Sequence, residues 1–171
     1  VIATGSSAIQ SIPLIAEQAK HLTVFQRTPT YSIPAHNHRL SDEEQRAVKA
    51  EYPAKRKRAL GEGFAIDMKM SETPAGSVSE AEVEQAFETV WARGGLGFLG
   101  AFSDLVLDKA ANDKAADFIR GKIHSIVKDP QTAARLSPPQ VVGCKRLCVD
   151  TNYFATFNRD NVALVDLRET P

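Results

Sequence analysis

The chain opens on an apolar pair, Val1 and Ile2, that reads as the last residues of a buried strand. Apolar residues then recur at Ala8, Ile9, Ile12, Ile15, Ala16 and Ala19, and this three-and-four spacing predicts a helix over 6–20. Pro13 lies inside that pattern and should bend the helix or restart it. Residues 22–25 form a short apolar strand. Strand end, glycine turn, helix and second strand together make the opening of a βαβ unit.

From residue 35 the pattern changes. The segment 41–60 is strongly charged and opens Ser41-Asp42-Glu43-Glu44, a capping box, so a helix should start there and break at Pro53. Residues 61–79, rich in Gly, Ser, Pro and Met, read as a loop. A second helix is expected over 79–92, capped by Ser79 with Glu82 three positions on. A third is expected over 112–128, with Ala115, Phe118, Ile119, Ile123, Ile126 and Val127 on one stripe, ended by Asp129-Pro130. The apolar stretch 94–107 is too short for a membrane span, which needs about 20 residues, and is expected to be a buried loop-and-helix element. Ser137-Pro138-Pro139 closes this mostly helical insertion, and strand-like residues return at Val141, Val142, 147–149 and 162–165. The expected organisation is therefore a Rossmann-like unit begun over 1–34, a helical insertion over 35–137, and a return over 138–171.

Composition narrows the function. The 171 residues carry 21 Lys plus Arg against 21 Asp plus Glu, a balance that argues against a dedicated nucleic-acid or anionic-membrane partner. The run Lys55-Arg56-Lys57-Arg58 lies beside acidic residues and reads as a solvated helix face. Cys144 and Cys148, if on one strand, would lie about 13 Å apart, too far for a disulfide. No further ligands stand at metal spacing, so no metal is expected, and His36 and His38 read as loop residues. Two reduced thiols fit a cytoplasmic protein. Trp91, Phe87, Phe98 and Phe102 read as core before they read as a substrate pocket.

The candidate chemistry lies at the first turn. Ala3-Thr4-Gly5-Ser6-Ser7-Ala8 has the spacing of the dinucleotide fingerprint with Ala in the first and third glycine places. Gly5 would let a pyrophosphate approach the backbone at the N-terminus of a helix. The strand after that helix ends in Gln26-Arg27-Thr28, with none of the carboxylates that hold a ribose 2′-hydroxyl. A guanidinium beside a hydroxyl suits a 2′-phosphate, which points to NADPH over NADH.

These residues, with 22–29, Asp117 to Ile123, Asp129-Pro130, Gly143-Cys144-Lys145-Arg146-Leu147-Cys148 and 153–162 in the same order, resemble the NADP-binding region of the Baeyer–Villiger monooxygenases. The resemblance is loosest between about residues 40 and 90. It implies an α/β fold, part of a flavoprotein with two dinucleotide-binding domains, in which FAD reduced by NADPH activates O2 for attack on a ketone, giving an ester or lactone. Thr4, Gly5, Ser6, Ser7 and Gln10 would then cradle the NADP pyrophosphate. Arg27 and Thr28 would hold the 2′-phosphate, Lys145 would help select NADPH, and Arg146 would act over the flavin as the catalytic residue. The family's FAD fingerprint and His-containing signature precede this turn, so Val1 is expected to be the end of a strand with an FAD half before it. Most of the FAD site would lie outside these residues, and the chain alone should be inactive. The alternatives are an N- or S-oxygenating flavin monooxygenase and a non-catalytic NADP(H)-binding module.

Overall fold

The computed structural model describes residues 1–62, 65–68 and 70–169. Helix α1 (Ser6–Gln18) buries Ala8, Ile9, Ile12 and Ala16 and leads into strand β1 (Leu22–Gln26). Ile2 bridges Phe25 in parallel, and the Phe25 N–H donates to the Val1 carbonyl over 2.8 Å. The expected strand-helix-strand unit is present, but Ile2 is 81% exposed and not buried. Strand β4 (Val162–Asp166) pairs in parallel along the other edge of β1, Leu22 opposite Val162 through Gln26 opposite Asp166. A second parallel pair joins β2 (Ser32–Pro34) to β3 (Cys148–Asp150).

Between β2 and β3 the chain is helical. Helix α2 (Asp42–Gly61) starts with the expected Ser41–Glu44 capping box and buries no residue. It runs unbroken through Pro53, contrary to the expected break, because every turn faces solvent and water can satisfy the carbonyl that proline leaves without a partner. Its basic run is ion-paired in part, Lys55 and Arg58 with Glu51, and Arg58 with Asp67. Pro13, expected to bend or restart α1, does not restart it and lies inside one continuous helix. Helix α3 (Glu80–Arg93) carries the Ser79–Glu82 capping box.

Helix α4 (Lys109–Ile126) begins three residues before the expected start, capped by the Asp108 side chain on the Ala111 N–H. Asp129-Pro130 does not merely end it. Asp129 caps a further helix, α5 (Pro130–Leu136), with proline in the first turn, where its missing N–H costs nothing. The stretch after Gly94 forms a 3₁₀ turn, Leu96–Gly100, with Phe98, Ala101, Phe102 and Leu105 buried. Phe87, Phe98, Phe102 and Phe118 pack ring on ring at 5.3–6.0 Å as a core. Val141 and Val142 are not strand: Val142 is buried in a turn, its backbone bonded to the Asn112 side chain. A short helix, α6 (Tyr153–Thr156), comes after β3.

Gly94, at φ +74°, ends α3 and seats it on β2, with Gly95 N–H donating to the Pro34 carbonyl over 2.8 Å. A Cβ at Gly94 would collide with the Pro34 carbonyl and the His36 ring. Gly94→Ala is expected to cost more than about 2 kcal/mol, combining left-handed strain with the clash, readable as a lowered midpoint in urea unfolding.

Candidate functional site

Helix α1 starts without a capping side chain and without an acid in its first turn, Gly5 standing at the N-cap. The α2, α3, α4 and α5 starts each have a side-chain cap. The first N–H groups of α1 thus keep their positive end for another acceptor. Gly5 has an ordinary φ of −85°, and a Cβ built on it meets nothing within 4 Å. The fold itself does not demand glycine there, and the bare backbone is open to approach from outside.

Above this turn lies a cleft of about 480 Å³, lined among others by Thr4, Gly5, Arg27, Thr28, Thr30 and Lys145. Thr4 is buried and donates from its hydroxyl to the Thr28 carbonyl (3.1 Å), pinning the glycine turn to the loop after β1. Arg27 and Lys145 are exposed, and neither forms an ion pair among the described residues. Five of the sequence-predicted residues therefore meet in one cleft whose chemistry is backbone N–H, hydroxyl and unpaired cation. That set suits phosphate esters.

Ser7 and Gln10 lie on the other side. With Ser11 and Leu14 they form one face of α1 along a second cleft of about 870 Å³, completed by Ala35, Asn37 and 149–152. Gln10 Nε2 donates to the Val149 carbonyl (3.4 Å). Ser6 and Arg146 line neither cleft. The Ser6 hydroxyl hydrogen-bonds the Cys148 thiol, and the exposed Arg146 offers its carbonyl to that thiol's Sγ at 3.6 Å. Both cysteines are free thiols. Burial pushes the Cys148 thiol up, an effect the Ser6 hydrogen bond opposes.

The supports of the cleft escaped the sequence reading. The Tyr31 hydroxyl reaches the Gln140 and Pro138 carbonyls (2.8 and 3.1 Å) and accepts from Arg120, whose Nε also donates to Pro138. Gln140 Nε2 donates to the Pro29 carbonyl (2.8 Å). The buried Asp150 accepts from Ser32 Oγ (2.5 Å) and the Tyr153 N–H (2.9 Å), and burial raises its pKa against the pull of those bonds. One legible signal was an amide, Asn112, standing in an alanine-rich helix face. Trp91 lines a smaller cleft of about 320 Å³ with His36, Ile126 and Phe154. Among the described residues no group of acidic, His and Cys side chains could hold a metal, and no helix is long and apolar enough to cross a membrane.

No family model matches the chain. Individual proteins do, along its whole length. It is 42% identical to a cyclohexanone 1,2-monooxygenase of an Acinetobacter species and 41% identical to a Baeyer–Villiger monooxygenase of Pseudooceanicola batsensis, covering 100% of this chain and 32% of each relative. Among solved structures it superposes on an oxidised steroid monooxygenase bound to NADP (46% identity, TM-score 0.93, 99% of this chain and 33% of that one). It also superposes on OTEMO in complex with FAD and NADP (40% identity, TM-score 0.95, 99% and 32%). The chain spans about a third of the length of these relatives and has the fold of the part it matches.

The two thiols should differ in reactivity. Cys144 is exposed, whereas Cys148 is buried with its thiol pushed up, so less of it is thiolate at any pH near 8. Iodoacetamide at pH 8 followed by peptide mass spectrometry is expected to label Cys144 well ahead of Cys148; equal rates would contradict the burial.

Proposed function

We propose that this chain is the NADPH-binding region of a flavin-dependent Baeyer–Villiger monooxygenase, an enzyme that inserts one oxygen atom of O2 beside a ketone carbonyl. The observation that carries this reading is the cleft at the uncapped start of α1, where Gly5, Thr4, Thr28 and two unpaired cations converge. In this reading 1–34 and 138–171 form the nucleotide-binding unit, with 35–137 inserted between them. Much of the FAD site would be supplied by sequence outside these 171 residues, which alone would not turn over. Both cysteines being free thiols favours a reducing compartment, the cytoplasm.

When bound, NADPH supplies a hydride and FAD the oxygen chemistry. The residues of this chain do the rest. The N–H groups at Gly5, Ser6 and Ser7 hold the pyrophosphate on the positive end of α1. Arg27 grips the 2′-phosphate through its planar fork, Thr28 adds a hydroxyl, and Lys145 adds a second charge from across the cleft. Gln10, tied to β3 through Val149, steadies the nucleotide along the second face. With FAD bound, Arg146, whose guanidinium is an exposed donor, would face the flavin and stabilise negative charge there.

Two substitutions in the intact enzyme test the reading. Arg27→Ala is expected to raise KM for NADPH roughly 10- to 100-fold, the worth of one or two charge-assisted bonds, while moving KM for NADH less than about threefold. Equal losses for both nucleotides would remove Arg27 from the 2′-phosphate. For Arg146→Ala, stopped-flow flavin reduction by NADPH should survive better than ester formation, and intact ester formation would remove Arg146 from the chemistry.

A further inference from the structure

Asn112 is 2% exposed in α4, on the face that otherwise carries Ala111, Ala115 and Ala116. Its Nδ2 donates to the Leu105 carbonyl (3.0 Å) and the Val142 carbonyl (2.9 Å), and its Oδ1 accepts the Val142 N–H (2.9 Å). One side chain thus takes both backbone groups of Val142, as a neighbouring strand would. Burying an amide is costly unless its bonds are made, and an apolar residue would pack this helix face at no such cost. What the amide adds is a fixed position for residue 142.

The position of residue 142 sets the course of the next three residues. Gly143 turns the chain at φ +89°, Cys144 closes the turn onto the Val141 carbonyl (3.2 Å), and Lys145 enters the cleft beside Arg27 and Gly5. The same helix holds residue 138 through Arg120. The backbone that leads to Lys145 is therefore anchored to α4, a helix that itself lines no part of the cleft.

We infer that Asn112 is a positioning residue for nucleotide selection, holding the Val142–Gly143 turn so that Lys145 faces the 2′-phosphate. The inference rests on the reading of Lys145 as a ligand of that phosphate. It makes the helical insertion part of the NADPH site without touching the nucleotide.

The test uses the intact protein and calorimetric titration with NADP+ and with NAD+. Asn112→Asp keeps the side-chain volume and the acceptor for Val142 N–H but loses both donors. It is expected to weaken NADP+ by about fivefold, in the range for a residue acting through a neighbour, with NAD+ unchanged within about twofold. In a Lys145→Ala background the same change should add less than about twofold, because the group it positions is gone. Asn112→Ala, which removes the donors and the acceptor without setting a charge against the Leu105 and Val142 carbonyls, should weaken NADP+ in the same direction, and if either variant does not fold the other carries the test. Equal weakening of NADP+ and NAD+, or an undiminished effect without Lys145, would reduce Asn112 to a structural role and overturn the inference. Should Lys145→Ala alone leave NADP+ affinity unchanged, the reading of Lys145 itself fails, an outcome distinct from a failure at Asn112.

Discussion

The cleft depends on the parallel pairing of β2 with β3, two three-residue strands that set Ser32 against Cys148 and Pro34 against Asp150. So short a ladder is weak on its own. It is completed at both ends by Cys148 N–H donating to the Tyr31 carbonyl (3.1 Å) and Ala35 N–H donating to the Asp150 carbonyl (2.6 Å). The Ser32–Asp150 side-chain bond across it joins residues 118 positions apart. Because β3 is held there, the loop before it arrives beside the turn that starts α1. Without that return, Arg27 and Lys145 would belong to separate regions of the chain.

The excursion between the two strands is stabilised by its own contents. Helices α3 and α4 close on the Phe87–Phe98–Phe102–Phe118 cluster, and the cation of Lys122 lies 5.1 Å from the Phe118 ring centre. A body with its own core can return the chain to a fixed place, because its ends move together. Closing a floppy loop of that length would add an entropic cost growing with the logarithm of its length. Gly94 against Pro34, Arg120 against Tyr31 and Asn112 against Val142 then transmit the position of this body to the parallel strands and the cleft beside α1. Helix α2, which buries nothing, is held by its capping box and ion pairs and contributes little to this chain of contacts.

The legibility of each element in the sequence tracks the reach of the interactions that form it. Helical periodicity and the two capping boxes are local, so α1, α2 and α3 were legible. Asp129-Pro130 carries two meanings, since the pair can end one helix and cap the next, and only α5 itself decides between them. The Val141-Val142 pair looked like strand because it is apolar and β-branched, yet the backbone partner of Val142 is a side chain 30 residues upstream. At the site, residue types pointed to phosphate chemistry, but not to the division of α1 between two clefts. That division comes from the helix: Ser7, Gln10, Ser11 and Leu14 share a face that points away from Gly5 and Thr4.

Overall neutrality also acquires a meaning it lacked as a number. Arg58, Lys109, Lys114, Arg120, Lys122, Arg135 and Arg168 each sit against a carboxylate, so their fields are largely cancelled where they arise. Arg27 and Lys145 stand without such partners on one cleft, at the positive end of a helix whose first turn has no acid. A phosphate ester at this cleft meets both cations and the open first turn of α1 together, while exposed charges beyond about 10 Å are screened from it. A cleft suited to phosphate esters then needs no surplus of positive charge over the whole chain. It needs cations left without an ion pair on one cleft, as Arg27 and Lys145 are among the described residues.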